Sequence, residues 1–142
     1  IAGMRQLNRD ASERLQSSSG VHAVTDVTGF ALAGHGWEMA ERSGCTFEID
    51  TAKLPVYPGV LEAAQRGVRT GGDARNRTAV GTRVTLADGV DVAHDIVAFD
   101  PQTSGGLLAA VDPAAVAGLT VPGSPFVVIG NVVAGTPGLR LV

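Results

Sequence analysis

The sequence predicts a layered α/β or α+β domain built on a mixed β-sheet. Segments with helical apolar spacing alternate along the chain with short apolar or alternating runs of strand length. No segment repeats, and no tract is of low complexity. Hydrophobic residues make up 44% of the chain and aromatics only 4%, so the core must be made of Ala, Val, Leu and Ile. A chain of 142 residues fits a single domain over 1–142.

Met4, Leu7, Ala11 and Leu15 recur at helical spacing, a stripe ended by serines and Gly20. "VHAVTDV", 21–27, reads as a short buried strand ending near Val24. A helix follows from about Phe30: Thr28 is placed to cap it, Phe30, Ala33, Trp37 and Ala40 share a face, and Gly44 ends it. Gly29, Gly34 and Gly36 oppose that helix. A helix-interior glycine costs roughly 1 kcal/mol against alanine, which predicts close packing as compensation. "CTFEID", 45–50, alternates like a half-buried strand, and "TAKLPVYPG", 51–59, is a proline-punctuated loop. "VLEAAQRGV", 60–68, is a short helix stopped by Gly67. "RTGGDARNRTAVG", 69–81, reads as a basic, glycine-rich loop with room for a helical turn. "RVTL", 83–86, is a strand and "ADG", 87–89, a turn, while "DVAHDIVAFD", 91–100, fits helix or strand. "PQTSGG", 101–106, is a loop before the buried strand "LLAAV", 107–111. Asp112 and Pro113 open the helix "DPAAVAGL". "PFVVIGNVV", 125–133, is a strand with a bulge or bend at Gly130, and "GLRLV", 138–142, is the last strand.

The net charge of -3 argues against a nucleic acid or an anionic membrane as the main partner. An anionic ligand would need a local site, such as helix N-termini or a metal. The single cysteine, Cys45, excludes an intrachain disulfide and fits a reducing, cytoplasmic compartment. No apolar run is long enough to span a bilayer, and no signal-peptide pattern opens the sequence. The sequence opens at Ile1, directly into a helical pattern, which suggests a piece of a longer protein.

Asp26 is the first candidate for chemistry. Its place at a strand-to-helix turn is where open α/β sheets bind ligands, and the amides of Thr28 to Phe30 would favour anions there. An ionised Asp is also a hard oxygen ligand suited to Mg²⁺. The alternative, favoured by spacing alone, is that Asp26 caps the helix. The second candidate is "DPQTSGG", where Gln102, Thr103 and Ser104 offer hydrogen bonds and Gly105 and Gly106 allow close backbone approach. It lacks the lysine and spacing of a phosphate-binding P-loop, and the alternative is a tight turn. The third is "TGGDARN", 70–76, where Gly71 and Gly72 beside Arg69, Arg75 and Arg77 could cradle a phosphate. Solvated loop arginines are the simpler reading there. His22, His35 and His94 show no metal-ligand spacing, and His35 reads as a packing or capping group. Cys45 reads as a buried inert thiol and Trp37 as a core anchor. No Ser-His-Asp or Cys-His arrangement follows from the spacings.

"LNRDAS" at 7–12, "TDVTGF" at 25–30, "GH" at 34–35, "EMA" at 38–40, "GG…RN" at 71–76, "DPQTSGGLL" at 100–108 and "IGNV" at 129–132 occur in one order. Together they resemble the C-terminal half of selenophosphate synthetase, also called selenide, water dikinase. That family is a sister of aminoimidazole ribonucleotide synthetase, thiamine-monophosphate kinase and the hydrogenase maturation dehydratase. The resemblance implies a mixed sheet with helices on both faces, like the C-terminal domain of aminoimidazole ribonucleotide synthetase. It implies an ATP-dependent enzyme that makes selenophosphate from selenide, ATP and water, releasing AMP and phosphate. The full-length enzyme would be a homodimer of two-domain chains. The N-terminal domain carries the catalytic Cys or selenocysteine, a lysine, and most ligands of ATP and Mg²⁺, so no catalytic residue is expected here and the chain alone would be inactive.

The family's metal-binding aspartate in this half falls in "TDVTGF", which carries over to Asp26. As Mg²⁺ prefers an octahedral oxygen shell, one carboxylate would complete a site whose other ligands come from the other domain. Thr25 and Gly29 would shape the turn. Thr28, Gly71, Gly72, Asn76, Gln102, Thr103, Ser104, Gly105 and Gly106 remain supporting candidates with no role carried over. Departures from the family are Ala31, where Gly is usual, and Gly36 and Trp37 in place of bulky aliphatics. A helix is expected to tolerate Ala31. The region from Thr82 to Ala98 matches loosely. Two other readings stay open: a non-catalytic module that closes over ATP, and a sister synthetase or kinase with another substrate.

Overall fold

The computed structural model describes residues 3–142. After a 3₁₀ turn at Gly3–Arg5 come α1 (Arg9–Ser17), β1 (Val21–Asp26), α2 (Ala31–Ser43), β2 (Thr46–Ile49), α3 (Val60–Gln65) and α4 (Gly71–Val80). They are followed by β3 (Val84–Leu86), α5 (Val92–Phe99), β4 (Leu107–Val111), α6 (Pro113–Leu119), β5 (Gly130–Val133) and β6 (Gly138–Leu141). Further 3₁₀ turns lie at Thr51–Lys53 and Gly81–Arg83.

The strands form a four-stranded sheet in the order β3-β6-β2-β5 and a separate two-stranded ribbon, β1-β4. β6 runs parallel to β2 and β3, while β5 is antiparallel to β2. The larger sheet is therefore mixed, and the predicted fold class holds. In the ribbon, Asp26 pairs with Leu107 at one end and Val21 with Val111 at the other, with an irregularity between Val21 and Ala23.

Alternation explains the sheet. Leu139 and Leu141 point into the core while Arg140 points out, where it pairs with Glu48 at 2.5 Å. Phe47 and Ile49 of β2 lie on the same buried face. Against them pack Ala33, Met39 and Ala40 of α2, Val80 of α4, and Ala98 and Phe99 of α5. Leu108 brings the ribbon into the same cluster. The predicted close packing is present at Gly34 and Gly36 but not at Gly29, which lies before α2 with nothing near its Cβ position. A Cβ on Gly34 would collide with the Phe30 ring, and one on Gly36 would lie 3.3 Å from Leu139. Gly44 ends α2 at φ 64 and donates to Ala40 O and Glu41 O.

Several expectations are corrected. Leu7 is 73% exposed and precedes α1, so only Ala11 and Leu15 of that stripe are buried; the Met4 side chain lies outside the described residues. The segment 69–81 is a helix over most of its length, α4, rather than a loop. Its buried Asp73 accepts from Arg69 at 3.2 Å and Arg77 at 3.0 Å, and these i,i±4 pairs reward the helical spacing. Arg77 also reaches Asp95 at 2.9 Å and stacks on Phe99 with its guanidinium 4.0 Å from the ring centre. Burial lowers the Arg77 pKa, but the bonds to Asp95 and Asp73 outweigh it and hold the pKa above its ordinary value. The ambiguous 91–100 run is helical because the Asp91 carboxylate caps it, accepting from Ala93 N at 2.9 Å. The predicted strand 125–133 contracts to β5, and Gly130 opens it rather than bulging from it, since the Glu48 carbonyl fills the space of a Cβ. Cys45 is half-buried rather than buried.

Candidate functional site

β1 continues past Val24 to Asp26, because the pairing with β4 runs through Leu107 and Val27 N donates to Gly106 O at 3.0 Å. Asp26 is exposed, and its carboxylate has no hydrogen bond or ion pair with any described residue. It does not cap α2. Thr25 Oγ1 donates to Asp26 O at 3.2 Å and so braces the turn. Thr28 does not cap α2 either. The residue before the helix is Phe30, with no side-chain cap, and Thr28 Oγ1 instead lies 3.0 Å from His35 Nε2.

Three segments far apart in sequence meet around this turn. Gln102 N donates to Thr28 O at 3.0 Å. Asn76 Nδ2 donates to Gly29 O at 3.1 Å and to Phe99 O at 3.2 Å. Asn8 Nδ2 donates to Gly105 O at 3.0 Å. Pro101 fills the space of a Cβ on Gly72, and the Val27 carbonyl fills that of a Cβ on Gly105. The 25–30, 71–76 and 100–106 motifs are thus one hub.

The candidates divide by what their surroundings leave open. Asn76 is buried with both amide hydrogens committed, and Gly72 and Gly105 are packed, so these three hold the hub together. Nothing lies within 4 Å of a Cβ position on Gly29, Gly71 or Gly106, and each is exposed, so backbone is accessible there. Thr103 and Ser104 are exposed. Gln102 turns back on its own loop, donating to Asp100 O at 3.0 Å.

Ala31 is the one non-glycine with a positive φ among the described residues. It is fully buried with φ 62, the left-handed region. A side chain there costs about 1–2 kcal/mol that glycine avoids. The expectation that an ordinary helical position accommodates Ala31 is therefore corrected, since the turn requires a backbone shape that glycine adopts without strain.

Two participants escaped the sequence reading. Asn8 precedes α1 with nothing local to mark its bond to Gly105, 97 residues away. His35 Nδ1 lies 3.2 Å from Glu38 Oε2, completing a line from Glu38 through His35 to Thr28. Helical i,i+3 spacing was the signal for the first half of that line.

Among the described residues no group of three or more His, Cys, Asp or Glu gathers. At this turn the Asp26 carboxylate offers an exposed, uncommitted hard oxygen, which fits one position of a Mg²⁺ shell and not a complete site. Among the described residues no helix is long and apolar enough to cross a membrane.

Comparison with known proteins gives the family of the chain. Residues 4–141 match the family described as AIR synthase related protein, C-terminal domain. The chain is 48% identical over 105 residues to the selenide, water dikinase of Pseudomonas straminea, covering 74% of this chain and 29% of that protein. It is 47% identical over 110 residues to the enzyme of the same name from Burkholderia ambifaria (strain MC40-6), covering 78% and 31%. With that from Caldanaerobacter subterraneus subsp. tengcongensis it shares 46% over 105 residues, covering 74% and 30%. The chain thus spans less than a third of the length of these curated relatives. The match runs through the whole hub, from Asn8 to Gly106, and on to β6: the chain belongs to the AIR synthase related protein family, as its C-terminal domain.

Proposed function

We propose that this chain, a single domain over 1–142, is the C-terminal part of a selenide, water dikinase. That enzyme would form selenophosphate from selenide, ATP and water, with AMP and phosphate as the other products. In this reading Asp26 contributes one carboxylate oxygen to a Mg²⁺–ATP site completed by an N-terminal domain that also carries the catalytic residues. The observation that carries it is the uncommitted, exposed Asp26 carboxylate at the end of β1, set in a turn that the other two motifs hold. A bound Mg²⁺ would offset the negative charge of the phosphate chain. This chain's own residues bind and orient: Asp26 supplies the oxygen, and Thr25 braces the strand end. The accessible backbone at Gly29, Gly71 and Gly106 leaves room for a ligand to approach. A homodimer in a reducing cytoplasm follows from the same resemblance, and the lone Cys45 agrees with the compartment.

The test joins this chain to the N-terminal part of the Pseudomonas straminea relative and replaces Asp26 by Asn. The Mg²⁺ concentration for half-maximal selenide-dependent AMP release should rise at least tenfold. An unchanged Mg²⁺ dependence would sink the metal role and favour a closure module without ligands of its own. AMP release that ignores selenide would favour a sister reaction.

A further inference from the structure

The line of contacts from Glu38 to Thr28 has a direction. Glu38 Oε2 is 3.2 Å from His35 Nδ1, and His35 Nε2 is 3.0 Å from Thr28 Oγ1. The His35 side chain is 15% exposed and that of Glu38 40%. An ionised carboxylate only accepts hydrogen bonds, so the proton of a neutral imidazole sits on Nδ1, facing Glu38. Nε2 is then an acceptor, and the Thr28 hydroxyl must donate to it. With its only hydrogen committed, Thr28 Oγ1 has nothing left to donate and keeps lone pairs to offer. Phe30 meets the same imidazole edge-on, ring centres 5.9 Å apart, which fixes its plane.

We propose that Glu38 and His35 are positioning residues that hold Thr28 Oγ1, two residues beyond Asp26, as an acceptor-only oxygen in the ligand site. Such an oxygen accepts from a water in the coordination sphere of Mg²⁺ and repels a bare phosphate oxygen. The relay thereby favours the hydrated cation over the free nucleotide at this turn. The inference rests on the reading of Asp26 given above and adds residues that the reading does not need.

Two measurements test it. Nitrogen-15 chemical shifts of the His35 ring, recorded on the unmodified chain at pH 8, should show Nδ1 protonated and Nε2 unprotonated. The opposite tautomer, or a fast average of both, overturns the relay; this arm needs no variant to fold and no loaded enzyme. In the joined protein, Thr28→Val should raise the half-saturating Mg²⁺ concentration several-fold with kcat nearly unchanged, and Thr28→Ser should restore it. His35→Gln, whose amide oxygen can accept from Thr28, should lie nearer the parent than His35→Ala. A fall in kcat at constant Mg²⁺ dependence, or no effect of Thr28→Val, overturns the proposal. If Asp26→Asn shifts the Mg²⁺ dependence and Thr28→Val does not, the relay fails alone. If Asp26→Asn has no effect, the functional reading fails first.

Discussion

Around Leu139 and Leu141 the chain is held by area, while around Gly105 and Asn76 it is held by individual atoms. In the four-stranded sheet, Leu139, Leu141, Phe47 and Ile49 are buried against α2 and α5. Each such side chain contributes about 1.5–3 kcal/mol through burial, a non-directional force that many shapes satisfy. The hub beside Asp26 touches that cluster through Val27 and Phe30, but its motifs are tied to one another by single contacts. One amide spans two carbonyls at Asn76, and one glycine leaves room for the Val27 carbonyl. A hydrogen bond adds only about 0.5–1.5 kcal/mol net, but stranding its buried partner costs about 1–3 kcal/mol. The sheet is therefore tolerant and the hub exacting, as suits a region that must present a turn in one shape.

The largest expected effect compares the two regions directly. Leu139→Met, which conserves volume, should cost under about 1.5 kcal/mol in chemical denaturation. Gly105→Ala should cost about 3 kcal/mol or more, because its Cβ meets backbone that cannot move aside. Gly106→Ala, beside open space, is the control and should be mild. Equal losses for Leu139→Met and Gly105→Ala would break the contrast.

A middle-sized effect separates two alanines of α2. Ala33→Gly should cost about 2 kcal/mol, from lost helix propensity and a lost buried methyl. At Ala31 the relief of the positive φ offsets the lost methyl, so Ala31→Gly should be neutral or stabilising by up to about 1 kcal/mol. Comparable losses at both positions would show that the turn before α2 is not strained.

The smallest effect lies on the surface beyond β2. The hydrogen bond from Lys53, at 2.9 Å, holds Asp50 below its ordinary pKa. A depressed carboxylate contributes stability above its unfolded pKa and loses it as pH falls through the folded value. Lys53→Met should therefore move the Asp50 carbon-13 titration upward. Any stability deficit should be present at neutral pH and vanish in acid. A deficit that persisted in acid would point to lost packing of the lysine stem instead.

Much of the sheet was legible because burial leaves a period in the sequence. Phe47 and Ile49 announce β2, Leu139 and Leu141 announce β6, and Gly44 announces the end of α2. α4 was not legible, because the buried positions it uses are Asp73 and Asn76 as well as Val80, and polar residues read as loop. The separation of β1 and β4 into their own ribbon left no local mark, since pairing partners are not written in either strand. At the site, Asp26 stood out through its motif. The roles of Gly72 and Gly105 as packed contacts, of Asn8 as a tether and of His35 as a link depend on neighbours distant in sequence or, for His35, on a threonine in the turn before α2.

Asn76 gives the hub a chemical lifetime as well as a shape. Hydrolysis of that single side-chain amide would replace a donor of two hydrogens with an acceptor-only carboxylate facing the oxygens of Gly29 and Phe99. The helical backbone of α4 keeps the following nitrogen from attacking the side chain, the usual first step of such ageing. Fraying of α4 would therefore start a slow, irreversible decay, placing the durability of the Gly29 turn in the backbone of a helix more than forty residues further along the chain.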